Sequence, residues 1–205
     1  MTPSAKPAMP STNAVAMDEH VHATLRYVRA SIDGAASLAV SGSAAIVIGL
    51  VGLCAALVAA TASLRTHWLN IWLLSAPIAI VLGGTVMTRQ WCVQGRMLFG
   101  APVRKFVLCL APSVLTGALL TAVDLMDGHV HAIAGTWLLL YGSAVLAASV
   151  VTIRLLCGLG ALFLFLGVIA LLAPVSAQNL LLGAGFGGLH LLFGVYLTGR
   201  GSHGR

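Results

Sequence analysis

Residues 179–197 read "NLLLGAGFGGLHLLFGVYL". Gly183, Gly185 and Gly188 satisfy G-x-G-x-x-G, the spacing of a dinucleotide-binding turn. That turn needs a strand before it, a helix after it and an acidic residue about 20 residues on. Here the flanks are continuous apolar sequence, no acid follows, and the lysine of a P-loop is missing. A helix gives a better account. At 3.6 residues per turn, Gly183, Gly187, His190 and Gly194 are expected on one narrow face. Gly183 and Gly187 form a G-x-x-x-G pair, which lets a second helix backbone approach closely. The stretch therefore reads as a membrane-spanning packing face with a buried histidine at its centre.

The rest of the chain fits that reading. Of 205 residues, 59% are hydrophobic and 8% charged, and the mean hydropathy is +1.00. A soluble domain carries about 25% charged residues, so this chain lacks the polar surface to face water. Six apolar runs, 39–62, 68–87, 106–123, 132–150, 155–173 and 179–197, are each near the ~20 residues a spanning helix needs. None alternates with the period of two that a membrane barrel requires. The expected fold class is all-α: a polytopic bundle of six spans over 38–199, built as three antiparallel hairpins. The links are "SLRTH", "DLMDGHVH" and "PVSAQ". The "ATA" at 60–62 has the form of a cleavage site, but the run before it is too long for a signal h-region, so no cleavage is expected.

Residues 1–17 are rich in Pro, Ser, Thr and Ala and are expected to be a disordered tail. In 18–37, Val21, Leu25, Val28 and Ile32 recur at spacings of three and four, predicting a short amphipathic helix on the membrane surface or docked on a partner. Residues 88–105, "TRQWCVQGRMLFGAPVRK", are basic and amphipathic. They are expected to form a cytoplasmic loop lying on anionic lipid or binding a partner. Residues 200–205 make a cytoplasmic tail.

Charge sets the orientation. With the amino terminus inside, Lys6, Arg26, Arg29, Arg89, Arg96, Arg104, Lys105, Arg154, Arg200 and Arg205 all lie in the cytoplasm, and Arg65 lies outside. That bias predicts both termini in the cytoplasm of a bacterial inner membrane. Trp68, Trp72 and Trp137 then fall near the outer ends of their helices, where amphipathic aromatics collect. The net charge of +6 is scattered, without the aromatic-basic stripe of a nucleic-acid binder. The four cysteines show no C-x-x-C and read as small apolar fillers.

"RKFVLCLAPSVLTGALLTA", "GTWLLLYGSAVLAASV" and "NLLLGAGFGGLHLLFGVYL" together resemble a group of uncharacterised bacterial six-helix integral membrane proteins. The carriers are the Trp-Leu-Leu-Leu-Tyr-Gly and Gly-Phe-Gly-Gly-Leu-His strings, and the resemblance spans roughly residues 89–199. Members of that group are often encoded beside a winged-helix regulator. The resemblance implies the six-helix fold and a regulatory link. It supplies no activity and no catalytic residue.

Two constellations remain. A histidine deep in a span must face protein. Tyr141, at a comparable depth in the fourth run, is the expected partner of His190, since a buried phenol wants one. That pair is read first as structural, with proton relay, ligand contact and haem ligation as alternatives. Haem would want a second axial ligand, and no other histidine lies mid-membrane. A proton-coupled carrier would want intramembrane carboxylates, and the nearest, Asp124, sits at a helix end. On the outer side, His67, Asp124, Asp127, His129 and His131 offer zinc- or copper-type ligands, although two histidines in an exposed turn also read as a solvated loop. No paired aspartates, Ser/His pair or H-E-x-x-H lies in the membrane, so no enzyme and no cofactor is expected. The leading expectation is an accessory or regulatory membrane protein with a protein partner. The second is a small-solute carrier or channel with His190 and Tyr141 lining the route. The third is a metal-responsive sensor using the outer histidines. The glycine face also suits a homo-oligomer.

Overall fold

The computed structural model describes residues 21–22, 24–25, 41–61, 63–93, 101–151 and 155–202. The chain divides into two units, Met1–Ala35 and Ala36–Arg205. In the first, Val21, His22, Thr24 and Leu25 are helical and exposed. The remainder of the expected tail and amphipathic helix lies outside the described residues.

The second unit is a bundle of helices: α1 (Gly42–Ala60), α2 (Trp68–Val93), α3 (Ala101–Asp127), α4 (Val130–Val151) and α5 (Leu155–Leu172). The sixth span comprises α6 (Val175–Leu182), a π-helical segment (Gly183–Leu189) and α7 (His190–Ser202). A 3₁₀ turn, Arg65–His67, leads into α2. Six helical stretches are long and apolar enough to cross a membrane, and no strand occurs among the described residues. The protein is an all-α, multi-pass membrane protein. Helices are the open-ended form that satisfies its own backbone in lipid.

Several boundaries differ from expectation. The loop at 88–105 is shorter, because α2 runs to Val93 and α3 starts at Ala101. Pro102 sits in the first turn of α3, where a missing N–H costs nothing. The end of α2 is tied down by Gln90, which accepts from Ser41 and donates to Ser43. Ser41 also caps α1, its hydroxyl accepting from the Ala44 N–H at 3.1 Å. The links after α3 and α5 are tighter too. Between α3 and α4 the chain turns at Gly128, whose φ of +74° suits a residue without a Cβ. "PVSAQ" is not a link beyond Pro174, since helix resumes at Val175. The carboxy-terminal helix continues to Ser202.

Packing groups the helices into two sets, α1 with α2 and α3 with α4 and α5, and the sixth span lies against α1, α4 and α5. Burial of apolar surface does not drive helices together within lipid, so close backbone approach must. Accordingly α1 meets the sixth span through glycine. A Cβ on Gly49 would lie 2.7 Å from the Leu191 nitrogen, and one on Gly194 would lie 2.7 Å from the Gly42 carbonyl oxygen. The α4–α5 hairpin repeats the device, with Gly142 against Gly160. The core includes Trp72, Leu138, Val145, Leu156, Phe163, Leu182 and Phe193. By contrast α2 and α3 are mostly uncovered, exposing Leu74, Ile78, Leu115 and Leu119 among others.

Candidate functional site

The glycine face and the histidine part company in the structure. Gly187, Leu191 and Gly194 face α1. His190 precedes Leu191 by one residue, a rotation of about 100° on a helix. It therefore turns away from α1 toward α4 and α5, and the expected shared face is corrected to two adjacent ones. Gly183 meets α1 only through the Ala56 methyl. Room beside the histidine's aromatic neighbours comes instead from Gly185, where a Cβ would lie 2.7 Å from Leu138 and 3.1 Å from Phe163. The π-helical winding of Gly183–Leu189 lies immediately before His190. Such wide turns are rare and concentrate at functional sites.

Tyr141 and His190 are brought together, with the hydroxyl oxygen 2.7 Å from Nε2. Around them two rings close in. Phe163 stands edge-on to Tyr141 at 4.8 Å, and Phe186 lies 5.1 Å from Tyr141 and stacks on His190 at 6.1 Å between ring centres. His190 is 3% exposed. Its Nδ1 is buried and makes no hydrogen bond.

The pair forms one end of a cavity of about 220 Å³. Its wall includes Leu69, Trp72, Ala76 and Ile80 of α2, Leu110 and Val114 of α3, Trp137 of α4, and Leu182 and Phe186 of the sixth span. The two tryptophans are therefore not an interfacial belt. Trp72 is 8% exposed and in the core. Its indole N–H donates to the Asn179 side-chain oxygen at 2.8 Å, and Trp137 donates to Thr121 at 2.9 Å. A buried indole N–H takes a partner, and the spans offered one to each. Asn179 and Gln178 were not singled out in the sequence. Gln178 is fully buried and donates to the His131 carbonyl. A polar pair beside a proline at the start of an apolar run was the signal available.

The outer metal candidates do not assemble. Among the described residues no three His, Cys, Asp or Glu side chains form a group able to hold an ion. His129 on the turn after α3 and His131 at the start of α4 stand edge to face at 6.0 Å, and His67, Asp127, His129 and His131 are exposed while Asp124 is half-buried. Compared with known proteins, the chain matches no family model, no curated protein and no solved structure.

Proposed function

We propose that this is a binding protein of a bacterial cytoplasmic membrane, with both termini in the cytoplasm, that holds an uncharged ligand inside the bundle. The cavity ending on Tyr141 and His190 is the observation that carries this reading. Ligand sites favour apolar hollows between helices of a bundle, and an empty apolar cavity of about 150 Å³ already takes benzene. It is the sequence's carrier-type alternative in a definite form, with Tyr141 and His190 lining the site and no catalytic role assigned to either. The orientation rests on the cation bias across the spans.

A second reading keeps the protein as an accessory or regulatory partner, with occupancy of the cavity felt at its cytoplasmic surfaces. The concentration of Arg and Lys on that side supports it. One preparation tests both. The full chain is purified gently from native membranes and its adducts are weighed by native mass spectrometry, alongside Ala76→Phe, a variant in the cavity wall. A small-molecule adduct held by the native protein and lost from the variant supports the binding reading; adduct-free protein in both cases overturns it. A stoichiometric protein partner supports the second reading, and its absence overturns that one.

A further inference from the structure

We propose that the cavity is a slot for one acyl chain of a membrane phospholipid, entered from the bilayer between α2 and α3. The inference rests on reading the cavity as a ligand site, and it names the ligand.

Shape comes first. The wall follows α2 from Leu69 to Ile80, α4 from Ile133 to Tyr141, and the sixth span from Leu182 to His190. At 1.5 Å of rise per residue these stripes are about 16, 12 and 12 Å long. A volume of about 220 Å³ drawn out along three helices is a channel for a chain, not a chamber for a compact solute.

Chemistry comes second. Each polar side chain on the wall has a hydrogen-bond partner, and the buried polar atom left over among them is His190 Nδ1. Trp72 donates to Asn179, Trp137 to Thr121, and Ser75 to the Trp72 carbonyl at 2.9 Å. Tyr141 and His190 hold each other. What faces the cavity is methyl, methylene and the faces of aromatic rings. A ligand bringing a charge to this depth would bury it without a counter-charge, which costs several kcal/mol. Saturated hydrocarbon brings none.

Access comes third. The wall takes residues from α2 and α3, yet those helices make no extended contact with each other, each packing back on its own set. Each also carries an interior proline, Pro77 and Pro112, and a proline interrupts the helix ladder. The outward faces beside the opening are exposed and apolar, with Leu74 and Ile78 on α2 and Leu115 on α3. In a bilayer these faces meet acyl chains, so the hydrocarbon at the mouth is the lipid itself.

The test uses the full chain in phosphatidylcholine vesicles, with or without lipid brominated in mid-chain, which quenches indole fluorescence on contact. Trp68→Phe/Trp91→Phe leaves Trp72 and Trp137, both on the cavity wall, as the sole emitters. Brominated lipid is expected to lower their emission at least twofold. Adding Ala76→Phe is expected to remove half or more of that loss, and Ala79→Phe does the same if the first variant fails to fold. Equal quenching in open and filled cavities overturns the acyl-chain inference, as does no quenching. If quenching fails while native mass spectrometry finds another small molecule displaced by Ala76→Phe, the binding reading stands without this ligand. If both fail, both fall.

Discussion

Trp72 on α2 donates its indole N–H to the side-chain oxygen of Asn179 on the sixth span at 2.8 Å. Asn179 passes the link on, donating its amide to the Ala56 carbonyl of α1 at 3.0 Å. One side chain thus ties three spans at the same level. Asn179→Leu is expected to destabilise the bundle by about 0.6 kcal/mol and at most about 1.7, the range for such bonds in lipid. Unfolding in mixed detergent micelles, followed by tryptophan emission, measures it. No change would mean that Trp72 is held by packing alone.

Gly49 and Gly84 make a matched pair for the packing argument. A Cβ at Gly49 would strike the Leu191 backbone at 2.7 Å, whereas at Gly84 nothing lies within 4 Å. Gly49→Ala is expected to cost about 1–3 kcal/mol by overpacking. Gly84→Ala is expected to stabilise by about 0.5–1 kcal/mol through helix propensity. The same unfolding measurement checks both, and equal effects would contradict the backbone contact between α1 and the sixth span.

The Tyr141–His190 bond is expected to show the asymmetry of buried polar pairs. Tyr141→Phe leaves His190 Nε2 enclosed and unpaired, which costs about 1–3 kcal/mol. Replacing both, as Tyr141→Phe with His190→Leu, is expected to recover at least half of that loss. A double-mutant cycle decides it, and strictly additive losses would show that the two rings contribute separately.

Orientation is open to a labelling experiment. In a cysteine-free background, His129→Cys is expected to react with a membrane-impermeant maleimide in spheroplasts, and Ser202→Cys only after lysis. The reverse pattern would invert the topology inferred from the positive-inside rule.

Much of the fold was readable because hydrophobic length is a direct demand of the bilayer. Each of the six runs overlaps one of the six spans of the structure, and Tyr141 was chosen as the histidine's neighbour from depth alone. What a single helix shows is which of its faces is small or polar. Which faces meet depends on the other five. That is why His190 was assigned to the glycine face, while Gly49 and Gly142 went unread although each meets a neighbouring backbone closely. The inward partners of Trp72 and Trp137 went unread for the same reason. An indole near a helix end suits the membrane–water interface equally well until a partner such as Asn179 or Thr121 is known. The cavity had no signature at all, being defined by where α2 and α3 make no extended contact.

The sixth span is the shared wall between the α1–α2 set and the α3–α5 set, and it is also the segment that follows all the others in the chain. Domains generally assemble in order as they leave the ribosome, but here that order has a gap at its centre. Five helices can enter the membrane and pair locally, while α1 still presents an unfilled row of Gly42, Gly49 and Gly52. Assembly is therefore gated by the emergence of the sixth span. A chain interrupted before Gly183 would hold two half-built hairpin sets with nothing to join them, a species that membrane proteases could tell from the finished protein by its open groove.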